Sequence, residues 1–170
     1  KRVRFAIVEG LLSSVEPAPW PPIDEDMLSE QLVKPWLLPP VYERLRRGLG
    51  EFVAELRPTV ALFLAFTGIN FDVDDQAGDK LDTFIRQVQT ILAHYDGTLI
   101  QLTFGDKGSY LYAAFGAPVA HEDDDFRAAS AALELRELPK RLQFIHSVKI
   151  GITCGRTRTG AYGATSQRTY

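Results

Sequence analysis

Three acids, Asp72, Asp74 and Asp75, follow an apolar run in the stretch ALFLAFTGINFDVDD, residues 61–75. Carboxylates just past the end of a buried strand are hard oxygen ligands of the kind that hold Mg2+ or Ca2+. The D-x-D-D spacing is loosely compatible with that chemistry, but no glycine turn and no closing Glu follow at EF-hand distance. The plainer reading is a solvated loop with acids at a helix start. Asp106 and Lys107, in Gly-Asp-Lys-Gly, pose the same choice. Both are ordinary hairpin-turn residues, although Asp106 is a weak metal candidate and Lys107 is placed to reach a phosphate from the tip. Gln101 offers different chemistry. An amide on a strand that faces an uncovered surface can hydrogen-bond a purine edge, while the alternation Ile100-Gln101-Leu102 also suits a plain half-exposed strand.

The remaining polar candidates read as structural. Arg156, Arg158 and Arg168 lie in a segment rich in glycine and hydroxyls and are expected at a surface or interface. Gly155, Gly160 and Gly163 permit tight turns and close backbone approach. A phosphate cradle would need a helix start after them, and none is visible. His121 is expected to belong to a helix cap. His94 and His146 are isolated, without a second ligand at zinc spacing. Cys154 reads as a buried small residue. As the sole cysteine it excludes an internal disulfide and fits a reducing compartment.

Composition narrows the function classes. The 170 residues are 45% apolar and 24% charged, with net charge −3. That balance argues against unspecific nucleic-acid binding, which needs a broad basic surface. No apolar run reaches a membrane span's length of roughly 18–20 residues. A cytoplasmic location is expected. The chain begins without Met and stops at Tyr170 with no closing element, as expected of a piece of a longer protein.

The elements that must position these residues can be read in order. Residues 3–8, VRFAIV, are β-rich and predict a strand, which the sequence assigns, within residues 1–12, to a preceding domain. Residues 13–38 form a proline-rich linker; seven of the ten prolines fall in residues 16–40, and proline favours extended chain. Trp20, Trp36, Leu37 and Leu38 are expected to pin it to a surface. The third segment, 39–170, is the domain proper. Helical spacing of Val41, Tyr42, Leu45, Leu49, Phe52, Val53 and Leu56 predicts a helix over 40–56, bent or split at Gly48 and Gly50, with Arg44, Arg46 and Arg47 on its wet face and Pro58 beyond its end. TVALFLAF (59–66) is apolar on both faces, as in a covered strand. Leu81, Phe84, Ile85, Val88, Ile91, Leu92 and Tyr95 give the clearest helical periodicity, over 77–95. TLIQLTF and SYLYAAF flank GDKG as a hairpin. A second helix is expected over about 124–138, with Phe126, Ala129, Ala132, Leu133 and Leu135 inward and Pro139 past its end. SVKIGITC (147–154) is the last strand.

From residue 59 the order is β-α-β-β-α-β, the split βαβ or ferredoxin-like α+β arrangement, with both helices on one face of one sheet. The other face is left for a partner domain, a second subunit or a ligand.

Several motifs in this order resemble the class III adenylyl/guanylyl cyclase catalytic domain. RPTVALFLAFTGI (57–69) resembles its first strand and turn, F-x-D-I-x-G-F-T. YDGTLIQL…YLYAAFGAP (95–118) resembles its hairpin, HEDDDFRAASAALEL (121–135) its acidic, alanine-rich helix, and VKIGITCGRTRTGAYGATSQRTY (148–170) its I-G-I-x-x-G…R-x-x-Y segment. The resemblance runs from about residue 39 to the end. It implies a nucleotide held between two homologous halves. One half supplies two aspartates for two metal ions, and the other supplies purine contacts plus an Asn and an Arg for the transition state.

Carried over residue by residue, the resemblance places Ala65 where the first metal aspartate belongs and Ser109 where the second does. Gln101 takes the purine-contacting lysine's place, and Arg168 lies next to the nucleotide-contacting stretch. The Asn and Arg would follow Tyr170. The chain is most similar to the second, non-metal half of soluble, bicarbonate-type adenylyl cyclases and their bacterial multidomain relatives. The resemblance therefore implies intracellular signalling, a nucleoside triphosphate (ATP) as substrate, another cyclase half as partner, Mg or Mn on that half and none on this chain, and an inactive isolated fragment. Its alternative is a degenerate regulatory or dimerisation domain.

Overall fold

A computed structural model describes residues 5–10, 12–19, 21–22, 24, 28–48, 54–105, 108–164 and 167–169; for Ala164, Gln167 and Arg168 it describes the backbone. The chain divides into two units, Lys1–Leu37 and Leu38–Tyr170.

In the first unit the regular structure among the described residues is α1 (Glu30–Val33) and a single 3₁₀ turn, Lys34–Trp36. Residues 5–8 form no strand, and Phe5, Ile7 and Val8 are exposed. Residues 3 and 4 of the strand expected over 3–8 lie outside the described residues, and β-rich composition makes no strand without a ladder partner. Trp36 is 89% exposed, against the expected anchoring role, and Trp20 lies outside the described residues.

The second unit opens with α2 (Pro39–Arg46), which starts on proline and buries Tyr42. The helix ends well before residue 56, because Gly48 at φ 72° turns the chain out of it. Leu49, Gly50, Phe52 and Val53 lie outside the described residues, and Leu56 belongs to β1 (Glu55–Thr67). Pro58 thus sits inside a strand rather than at a boundary. Residues 55–59 of β1 pair with β4 but not with β3, whose register begins at Val60. On such an edge the missing proline donor is tolerated.

The core follows as α3 (Ala77–His94), the hairpin β2 (Thr98–Gly105) and β3 (Gly108–Phe115), α4 (Asp124–Leu135), a short α5 (Leu138–Arg141) and β4 (Ser147–Thr159). The antiparallel sheet has the order β2-β3-β1-β4, the ferredoxin-like order with β3 between the parallel pair β1 and β2. A two-stranded β5 (Tyr162–Ala164) and β6 (Gln167–Thr169) ends the described chain.

Alternation along β1 sorts the two faces. Val60, Leu62, Leu64 and Phe66 join Phe84, Val88, Ile91 and Leu92 of α3 and Ala128, Ala131 and Leu135 of α4 in one core. Each fully buried Leu or Phe contributes about 1.5–3 kcal/mol. α3 buries the stripe its periodicity predicts. α4 is rotated from expectation. Leu135 is buried, but Phe126 is 70% and Leu133 58% exposed, while Ala128 and Ala131 face the core. Two apolar stripes share this helix, and the smaller side chains fit the close approach to the sheet. Pro139 lies in the first turn of α5, where its missing N–H costs nothing. β4 runs five residues past the expected end, to Thr159. It is the sheet's edge, so Cys154 is exposed rather than buried.

Candidate functional site

The odd residues of β1 point away from the helices. With their register partners they lay out two rows across the open face. One row runs Gln101 (β2), Tyr112 (β3), Phe63 (β1) and Gly151 (β4); the next runs Thr103, Tyr110, Ala65 and Lys149.

Gln101 reaches this face through an irregularity. Leu99 pairs with buried Ala113, and strict alternation would send Gln101 to the same, core side. The ladder shifts register between Leu99 and Gln101, so Ile100 is the extra residue of a bulge. A bulge re-aims the side chains beyond it. Gln101 therefore lies opposite Tyr112, exposed, while Leu102 turns back to pack on the core. Tyr112 is in turn stacked on Phe63, with ring centroids 4.9 Å apart and planes 18° from parallel. Burial pushes the Tyr112 phenol up.

The two counted metal positions do not converge. Ala65 lies on the open face between Tyr110 and Lys149. Ser109 pairs with Phe66, whose side chain is in the core, so Ser109 points to the other side of the sheet. Neither residue offers a carboxylate, and the open-face register neighbours of Ala65 are a phenol and an ammonium. Among the described residues no three His, Cys, Asp or Glu side chains group as metal ligands.

The aspartate loop is occupied by its own helix. Asp74 accepts the Gln76 backbone N–H at 2.9 Å and the Lys80 ammonium at 2.7 Å. The Lys80 bond is the main reason its carboxyl lies below the usual carboxylate range, with the Gln76 N–H second. Asp72 and Asp75 stay exposed. At the start of α4, His121 donates its backbone N–H to Asp124 Oδ2 at 2.8 Å; the N-cap itself is Asp123, without a side-chain cap, so His121 does not cap the helix. Arg127 holds Asp96 and Asp123 together, tying the end of α3 to α4.

Asp106 and Lys107 lie outside the described residues. The backbone of Arg168 is in β6, paired with Gly163. Arg156 and Arg158 are exposed on β4, not in a loop. Phe63, Tyr110, Tyr112 and Lys149 were not singled out from sequence. Only the pairing of distant strands brings them beside Gln101 and Ala65.

Comparisons with known proteins bear on the fold. The chain has the fold of class III adenylyl and guanylyl cyclase catalytic domains. It superposes on the adenylyl cyclase CyaB from P. aeruginosa with a TM-score of 0.59 and 21% identity, covering 69% of this chain and 66% of that one. For the guanylate cyclase domain of RhGC from Catenaria anguillulae, solved in complex with GTP, the TM-score is 0.54 at 20% identity, covering 66% and 63%. For the dimeric guanylyl cyclase domain of the RhoGC fusion protein from Blastocladiella emersonii it is 0.56 at 18% identity, covering 68% and 67%. In sequence, the chain is 22% identical over 148 residues to adenylate cyclase type 10 of Oryctolagus cuniculus, spanning 86% of this chain and 9% of that protein. No family model matches. No helix among the described residues is long and apolar enough to cross a membrane.

Proposed function

We propose that this chain is a nucleotide cyclase homology domain that contributes the non-metal half of a paired site forming a 3′,5′-cyclic nucleotide, cAMP from ATP, in intracellular signalling. The observation that carries the reading is Ala65. It stands on the uncovered sheet face, where a metal-bearing half needs an aspartate, with Tyr110 and Lys149 as its neighbours. Ala65 and its open-face register neighbours Tyr110 and Lys149 offer no carboxylate, which supports assigning Mg or Mn to the partner half. Gln101 reads the purine edge through its amide, and Lys107 and Arg168 serve the phosphates. The 3′-oxygen of the ribose attacks the α-phosphorus and pyrophosphate leaves; this chain's part is to bind and orient the nucleotide.

The alternative is a degenerate regulatory domain on the same fold. It is favoured by glutamine standing where the purine-contacting lysine is expected. The experiment that separates them is a cyclase assay on the full protein with Gln101→Lys and Gln101→Leu. A changed ATP-to-GTP preference supports the catalytic reading. Full activity with unaltered preference in both variants leaves Gln101 without a nucleotide role and supports the regulatory one.

A further inference from the structure

α4 carries two apolar stripes, and only one of them meets the sheet. The outer stripe runs Phe126, Ala129 and Leu133, all exposed, Phe126 by 70% and Leu133 by 58%. Glu122 precedes it, and Arg136 and then Lys140 of α5 follow it, also exposed. We propose that this stripe is the contact surface for a second copy of this chain, docked antiparallel across a two-fold axis.

A single exposed leucine needs no explanation. Two large apolar side chains two turns apart, with a small residue between them at spacings of three and four, form the narrow seam of a helix that packs on another helix. α3 shows the contrast: its outward residues include Asp82, Arg86, Gln87 and Thr90. The core does not use Phe126 or Leu133, because Ala128, Ala131 and Leu135 fill the inner side of α4. Acids at a helix start and bases at its end complement the helix dipole. That accounts for the charges but not for the apolar residues between them.

The order of the stripe names its occupant, because read backwards it complements itself. With the axis at the level of Ala131, Leu133 of one copy meets Ala129 of the other, large against small. Phe126 meets the Arg136 guanidinium, a cation over a ring, and Glu122 meets Lys140. Every contact occurs twice, as an isologous pair requires. The charges are open for this pairing. Glu122 makes no hydrogen bond or ion pair with any described residue, and Arg136 and Lys140 share one acid, Glu137. A helix of 12 residues is about 18 Å long. The contact is therefore small and the dimer weak, with a Kd on the order of 100 µM. The stripe lies on the far side of the helices from the open sheet face. The pair forms whichever partner that face takes, and it stands whether or not the chain takes part in cyclisation.

The test is sedimentation velocity of the 170-residue chain at concentrations from about 10 µM to about 1 mM. Concentration-dependent dimerisation is expected. Leu133→Glu weakens it at least about tenfold while keeping the wild-type melting curve. Should Leu133→Glu fail to fold, Phe126→Ser gives the same loss. Glu122→Lys and Lys140→Glu each weaken self-association, because each sets like charges opposite one another. Mixed in equal amounts, these two variants associate as tightly as wild type. The proposal is overturned by a monomer at about 1 mM, by folded Leu133→Glu protein that dimerises as wild type, or by a mixture that associates no more tightly than either variant alone. Dimers lost in Phe63→Asp but kept in Leu133→Glu lie on the open face and also overturn it. A failed cyclase assay leaves this outcome untouched.

Discussion

Gln101 on β2 faces Tyr112 on β3 across the ladder, and the bulge at Ile100 is what puts it there. Because the residue is exposed, its replacement separates function from folding. Gln101→Leu is expected to leave stability within about 0.5 kcal/mol of wild type. Deleting Ile100 removes the extra residue and makes Leu99 and Gln101 successive ladder positions, so Gln101 keeps its place opposite Tyr112, and the loss of stability is expected to stay below the roughly 1–3 kcal/mol of a buried amide left unpaired. Urea denaturation of the two variants checks both values.

Gly97 is fixed by packing. A Cβ there would fall 2.5 Å from the Phe115 ring, which is fully buried under the turn between α3 and β2. Gly97→Ala should destabilise by about 1–3 kcal/mol, the range for overpacking a core. In a Phe115→Leu background the added penalty should shrink. A double-mutant cycle by chemical denaturation reads the coupling directly.

α4 discriminates between its two apolar stripes. Leu135 is fully buried, and Leu133, two residues away, is 58% exposed. Leu135→Ala should cost about 2–5 kcal/mol. Leu133→Ala should change stability by no more than about 0.5 kcal/mol. Equal losses in thermal or urea unfolding would mean that the helix is rotated from the described packing.

Asp74 carries a signed pH dependence. Its carboxyl is held low mainly by the Lys80 ammonium and then by the Gln76 N–H. A group whose folded pKa lies below its unfolded value adds stability above the unfolded value, and that stability is lost as pH falls through the folded one. Folding stability should therefore decline as pH falls from the ordinary carboxylate range through the lowered value of Asp74. Asp74→Asn should flatten that part of the curve while keeping an acceptor for Gln76. Urea midpoints across the acid range make the comparison.

Much of the domain was legible because its signals are local. The α3 periodicity is strong, and the glycine-bracketed hairpin and the β-α-β-β-α-β order follow from short-range chemistry. The misses have physical causes. Alanine-rich α4 has little amphipathic contrast, so its large side chains suggest a phase that Leu135 obeys and Phe126 and Leu133, which face outward, do not. Pro58 hid the start of β1, because proline is compatible with a strand only where the neighbour on one side is missing. The bulge at Ile100 has no sequence signature of its own. Phe63, Tyr110 and Lys149 are unremarkable one at a time and become neighbours only through pairings such as Ala65 with Lys149, 84 residues apart in numbering (149 − 65).

The central claim is that the position of Ala65 leaves metals to a partner. The most direct measurement is calorimetric titration of the chain with Mn2+, alongside an ATP cyclisation assay on the same sample. The account predicts no saturable Mn2+ binding at about millimolar concentration and no cyclic nucleotide from the chain alone. Ala65→Asp should not create a site, because the new carboxylate pairs with Lys149 across the strand. Micromolar Mn2+ binding, or cyclic AMP produced by this chain alone, would contradict it.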